Sequence, residues 1–197
     1  MIRKTFNKLG ARLYVQIWEK RIRATDIDSG RIFDESPLLA IEKKGRRETV
    51  VAVGNRASSV PGGDTRVVNP FSHPRSLLRD FAAAEKLLQH TFRELLGNTL
   101  LAPSPLVVLH PMEKTLGGLT DIEIRAFREL GLGAGARESL VYEGEELTRH
   151  TFDLQKVRDQ SEADGTATAE KGGGIAQWVL LAIWILLIAA MAIFGQP

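Results

Sequence analysis

The chain contains no cysteine among its 197 residues, which removes disulfide frameworks, thiolate nucleophiles and cysteine-based zinc centres. Histidine is scarce too. His73, His90, His110 and His150 show no ligand spacing and no H-E-x-x-H occurs, so no metal site is expected. His90, inside a helical pattern, reads as a structural or solvated residue. No serine sits in a G-x-S-x-G elbow, and no catalytic residue is assigned. Charge of one sign is also lacking: 26 Lys and Arg against 24 Asp and Glu leave +2. With both signs interspersed, no broad basic face for nucleic acid is implied. The opening MIRKTFNKLGAR has no apolar h-region of a secretory signal.

What the chain does have is one long hydrophobic run. From Gly172 to Pro197 no side chain carries charge, and Ile175 to Phe194 reads IAQWVLLAIWILLIAAMAIF, interrupted only by Gln177. A helix rising about 1.5 Å per residue needs roughly 20 apolar residues to cross the hydrocarbon core, and it satisfies its own backbone there. A membrane span over 175–194 is therefore expected, with Ile175, Trp178, Leu180, Leu181, Trp184, Leu186, Leu187 and Phe194 as its anchoring side chains. A buried core helix is the competing reading, disfavoured by the length and the missing polar stripe. Only Gly195, Gln196 and Pro197 follow. Lys156, Arg158 and Lys171 precede the run and no Lys or Arg follows it, which by the positive-inside rule puts the N-terminal body in the cytoplasm. The stretch 156–174, KVRDQSEADGTATAEKGGG, is polar and Gly-rich and reads as a flexible linker. Such a chain spans roughly 20–30 Å on average.

The body between them reads as mixed α/β. Leu13, Val15 and Ile17 alternate with Tyr14, Gln16 and Trp18, a two-faced strand. RIRATDI, RIF, PLLAI and TVVAVG follow, separated by the turn chemistry of DSG and KKGRR, which predicts a β-meander. Pro74 is placed to open a helix whose apolar positions Leu77, Leu78, Phe81, Ala84, Leu87, Leu88, Phe92, Leu95 and Leu96 recur near 3.6 residues, with Gly97 ending it. Pro105 to Pro111 predicts a strand buried on both faces. Thr120 with Glu123 makes a capping box for a second helix along Ile124, Phe127 and Leu130, closed by Gly131. Glu138 to Tyr142 predicts the last strand. A central sheet with helices packed over it results.

Three motifs read more plainly than they first look. Gly133 and Gly135 follow a helix and precede a strand, the reverse of a phosphate loop, and read as a helix C-terminus. Asp26, Asp28 and Gly30 imitate the start of a calcium loop, but Arg31 stands at the sixth position and the twelfth is no Glu, so a hairpin turn is expected. At the N-terminus, segment 1–12, Ile2, Phe6 and Leu9 would share a helical face beside Arg3, Lys4, Lys8 and Arg12. That face suits anionic lipid; a frayed basic end is the alternative.

The order and wording of these elements resemble the first domain of the MreB family, bacterial actin-like rod-shape proteins. The resemblance is carried by EIRAFREL and GAGARE (Glu123 to Leu130, Gly133 to Glu138), APSPLVVLHP (Ala102 to Pro111), AEKLLQHTF (Ala84 to Phe92), VAVG (Val51 to Gly54) and ESPLLAI (Glu35 to Ile41). It covers about Leu13 to Glu143. It implies an actin-like, RNase H-like half over residues 13–155, and it implies as partner a full-length filament of the same family or another part of the cell-shape machinery.

Departures from the family pattern bear on activity. The family's first phosphate loop carries an Asp, a Gly-Thr pair and an Asn between the first two strands; here VQIWEKRI puts Gln16 near the Asp position and Trp18, Glu19 and Lys20 in place of the loop. The acidic pair before proline that follows the last strand is reduced to Glu143 before Gly144. Past about Phe152 the likeness stops, and with it the second domain that completes the nucleotide cleft. The expectation is a non-catalytic, tail-anchored adaptor or modulator in the bacterial cytoplasmic membrane, with no cofactor, no small-molecule substrate, and Arg125, Arg128 and Glu129 as the partner-facing surface. The alternatives are a nucleotide-binding actin-like ATPase and a subunit of an unrelated envelope or transport complex.

Overall fold

A computed structural model describes residues 10–97 and 103–163. Eight strands lie in two sheets. In the larger, β1 (Arg12–Ile17) pairs antiparallel with β2 (Ile22–Asp26) and β2 with β3 (Ile32–Glu35), while β7 (Leu106–Pro111) and β8 (Glu138–Val141) extend the other side in parallel, giving the order β3-β2-β1-β7-β8. The smaller sheet is antiparallel, ordered β5-β4-β6 from β4 (Leu39–Lys44), β5 (Arg47–Val53) and β6 (Thr65–Val68). A 3₁₀ turn, Gly54–Ser59, follows β5. Helix α1 (Phe81–Leu96) precedes β7, α2 (Asp121–Gly133) joins β7 to β8, and α3 (Leu154–Ala163) comes last.

The expected single meander is thus divided. β1, β2 and β3 stay in the large sheet, and the chain leaves it through Ser36–Leu38. Pro37, which has no N–H to give a ladder, stands in that break. β6, four residues reading TRVV, carries too little pattern to be predicted and is fixed by its pairing with β4.

Alternation along β1 sorts the core. Leu13, Val15 and Ile17 pack with Leu87, Leu88 and Phe92 of α1 and Phe127 and Leu130 of α2. Tyr14 turns to the opposite face, joined there by Leu106, Val108, Leu140 and Val157. All six residues of β7 are buried, as expected of a run flanked by prolines.

Helix boundaries shift for identifiable reasons. α1 begins at Phe81 and not at Pro74, because the Arg79 and Asp80 amides turn back onto the Pro70 carbonyl and the Asp80 carboxylate accepts from the Ala83 amide at 3.0 Å. It ends at Gly97, whose φ is 78°. α2 starts with the expected capping box. It runs through Gly131 to Gly133, because Gly131 serves packing and not termination: a Cβ there would fall 2.2 Å from Ser139 Oγ on β8.

The largest correction concerns the stretch read as a flexible linker from residue 156. Its first part is α3, opened by the Asp153 carboxylate accepting the Gln155 and Lys156 amides at 2.9 and 3.3 Å. Val157 is buried, and Arg158 makes a two-pronged ion pair with Glu138 at 2.8 and 2.7 Å. The β2–β3 turn is a hairpin turn as expected. The Asp26 carboxylate accepts the Asp28 and Ser29 amides, and Arg149 clamps the Ile27 and Asp28 carbonyls at 2.8 and 2.7 Å. Among the described residues no cluster of three or more metal-type side chains occurs, and no helix is long and apolar enough to cross a membrane. The expected span over 175–194, the later linker and the basic segment 1–9 lie outside the described residues.

Candidate functional site

Strands β1, β7 and β8 run parallel, so their carboxyl ends open on one crest of the sheet, where open α/β sheets take their ligands. At the first of these ends the β1–β2 connection is tight, with the Trp18 amide bonded to the Arg21 carbonyl at 2.9 Å. Arg21 grips Asp34 at 2.7 and 2.5 Å and stacks its guanidinium over the Trp18 ring at 5.2 Å. A loop closed in this way presents an indole and charged side chains where a phosphate cradle would need free amides.

The Glu19 backbone is already occupied on both sides. Glu19 N–H donates to Glu113 Oε2 at 2.7 Å, and the Glu19 carbonyl accepts from Asn69 Nδ2 at 2.7 Å. The Glu19 carboxylate pairs with Lys114 Nζ at 2.7 Å, and that hydrogen-bonded ammonium holds its pKa below the usual carboxylate value. Lys114 also donates to the His73 carbonyl and sits at a φ of 59°, a left-handed conformation uncommon for a side chain of its size.

Further along the crest, Glu143 Oε2 accepts the Leu119 amide at 2.9 Å, and Glu123 Oε2 accepts the Thr120 amide at 3.0 Å, closing the N-terminus of α2. Three donors that an anion would use therefore end on carboxylates of the chain itself. The exposed Glu145 and Glu146 add negative charge beyond Glu143. A polyanion entering here would meet like charge and satisfied donors.

Beneath the crest, Gln16 is 2% exposed and its Nε2 has no hydrogen-bond partner. Next to it on β1 and β7 lies a buried latch. Tyr14 Oη is 2.6 Å from His110 Nδ1 and accepts the Leu147 amide at 3.1 Å, while the His110 ring meets Tyr142 edge-on at 4.9 Å. Burial lowers the His110 pKa to about 4 and raises that of Tyr14 to about 12. The histidine is thus neutral and shares a hydrogen bond with the phenol. In the sequence the latch is marked only by a polar residue inside the apolar run PLVVLHP, and the fold sets that residue, His110, in register with Gln16.

A pH dependence follows. An unfolded histidine takes its proton near pH 6.5, whereas the folded His110 resists until about 4. The unfolded state therefore binds more protons between these values. Stability is full above about pH 6.5 and falls as pH drops toward 4, by about 3 kcal/mol in total from this group. His90, also lowered by burial, acts in the same direction. Thermal melts from pH 7 to 4.5 are expected to show the loss, and His110→Gln is expected to flatten the slope relative to wild type.

The three residues expected to face a partner are not equivalent. Arg125 and Glu129 pair along the exposed face of α2 at 2.9 Å. Arg128 is half-buried, with one terminal nitrogen buried and unpartnered, and burial lowers its pKa.

Comparison with known proteins bears on the crest. The chain matches the sequence model of the MreB/Mbl protein family over residues 20–180, past Phe152, where the likeness was expected to stop. It is 31% identical over 160 residues to the cell shape-determining protein MreB of Escherichia coli K12, an overlap of 78% of this chain and 43% of that protein. To MreB of Pasteurella multocida it is 28% identical over 157 residues, covering 78% and 42%. The chain thus spans less than half the length of the curated relatives it matches. Among solved structures, MreB 5 of Spiroplasma citri bound to AMPPNP superposes with a TM-score of 0.51 at 22% identity, over 67% of this chain and 38% of that one. A non-polymerising mutant of MamK bound to AMPPNP gives 0.52 at 14% identity, over 67% and 40%. These likenesses show an actin-like fold.

Proposed function

The chain belongs to the MreB/Mbl family of cell shape-determining proteins, and from that premise we propose that it is a non-catalytic, membrane-anchored member acting as an adaptor or modulator of a membrane-associated cell-shape assembly. The observation that carries the non-catalytic reading is the crest, where the Glu19, Leu119 and Thr120 amides end on Glu113, Glu143 and Glu123. Phosphate recognition at such an edge requires free backbone donors and net positive potential; here three donors end on carboxylates and the rim carries Glu143, Glu145 and Glu146. A nucleotide-binding ATPase is the competing reading, because solved relatives of this fold are bound to AMPPNP. Their nucleotides belong to those proteins, and the residues that would receive one here are the carboxylates just described.

Anchoring rests on the apolar run 175–194, whose length and lack of charge support a position in the bacterial inner membrane with the body in the cytoplasm. An actin-like lobe that binds no nucleotide would tether or limit filaments and not extend them. The exposed Arg125–Glu129 pair on α2 is the contact assigned to that role. The test is assembly of a full-length MreB on lipid vesicles carrying this chain. The expected result is retention of filaments on the vesicles with no added ATP turnover, weakened by Arg125→Glu with Glu129→Lys. Equal filament retention on empty vesicles would contradict the adaptor role.

A further inference from the structure

Away from the crest, the small sheet and α1 enclose a groove of about 490 Å³, lined by Val50, Val51, Ala52 and Val53 on one side and by Lys86, Gln89, His90, Arg93 and Glu94 on the other. Four consecutive residues of β5 line it. A strand shows alternate residues through either face, and the β4–β5 register shift at Val51 brings neighbouring residues of β5 onto the groove. β5 is an outer strand of its sheet, and among the described residues its outward backbone groups pair with nothing. The helix wall is a single stripe, positions 86, 89, 90 and 93 following the i, i+3, i+4, i+7 pattern. An open strand edge facing a helix across a cleft is the arrangement into which extended peptides add as an extra strand.

We infer that this groove binds a short, acidic peptide in extended conformation, pairing its backbone with β5 and its carboxylates with Lys86 and Arg93. Charge selects the occupant. Lys86 and Arg93 are both exposed and have no carboxylate partner among the described residues, while Glu94 supplies the one opposing charge. Gln89 is spent: its amide donates to Glu85 and to the Gly133 carbonyl at 3.1 and 3.2 Å. His90 forms the floor, its ring edge-on to Phe33 at 6.2 Å. Val51, 46% exposed, offers the apolar contact.

Length is limited as well. The β4–β5 register shifts between Ala40 and Ile41, so Val51 is the extra residue of a bulge. A bulge breaks the even spacing of edge groups and turns the strand away from flat pairing. A long flat strand cannot continue across it. A short peptide can. The site lies apart from the crest and does not depend on how the crest is read.

The probe is a fluorescein-labelled pentapeptide alternating Glu and Val, titrated by anisotropy into the full chain in mild detergent, with a Lys–Val peptide as control. Expected are saturable binding of the acidic peptide only, a loss of at least about tenfold in affinity when Lys86→Glu and Arg93→Glu are combined, and loss of binding when alternate amides of the peptide are N-methylated. The last comparison leaves the protein untouched. Unchanged affinity in the double variant, equal binding of the methylated peptide, or no saturable binding would each overturn the proposal. So would pairing of two copies of the chain that the same double variant abolishes.

Discussion

Removal of residues 175–194 is expected to move the protein completely from the membrane pellet to the supernatant, whereas the intact chain is expected to stay in the pellet through high salt. Each Leu, Ile, Val or Phe at the centre of a span contributes about 0.3–0.6 kcal/mol toward insertion, and the run is rich in Leu, Ile and Ala with no charge to set against them. Ionic strength weakens surface charge contacts but leaves apolar burial intact. The two modes of attachment therefore separate cleanly in a fractionation. A chain held only by its basic N-terminal segment, 1–12, would wash off in salt and would be indifferent to the deletion.

The second large effect concerns folding. Tyr14→Ala is expected to cost about 3–5 kcal/mol, the range for emptying a large aromatic from a core, and to lower the melting temperature by roughly 10 °C or more for a body of this size. Tyr14 is 2% exposed and bonds both His110 Nδ1 and the Leu147 amide. It also meets Phe152 at a ring distance of 6.1 Å. The phenol thus fastens the segment after β8 to the sheet face opposite α1 and α2. Tyr14→Phe keeps the ring, loses the hydroxyl, and is expected to cost about 1–2 kcal/mol. Melting curves of the two variants against wild type separate the cavity from the hydrogen bonds; equal losses would mean that the latch carries the whole effect.

What could be read from the sequence was what the sequence encodes locally. The stripe of α1, the capping box at Thr120 and Glu123, and the buried run of β7 are each written within a dozen neighbouring residues, and the fold reproduces them. The division of the first strands into two sheets is not local. β4 bonds β6 from more than twenty residues away, and no pattern in ESPLLAI announces which sheet receives it. α3 was hidden by composition: Leu154 and Val157 are its only large apolar residues, and its hold on the sheet comes from Arg158 meeting Glu138 twenty positions earlier in the chain. The crest shows the same limit. That VQIWEKRI departs from the Asp, Gly-Thr and Asn pattern of the resemblance can be seen in the sequence. That Glu113 takes the Glu19 amide can be seen only in the fold, since the two stand 94 residues apart.

The account stands or falls on whether the crest accepts a nucleotide. Isothermal titration of MgATP into the full chain in mild detergent measures this directly. Carboxylate-capped amides and an acidic rim predict no saturable heat at nucleotide concentrations up to about 1 mM, corresponding to a binding free energy weaker than about −4 kcal/mol. Saturable binding in the micromolar range, lost on substitution at Lys114 or at the β1–β2 turn, would contradict it.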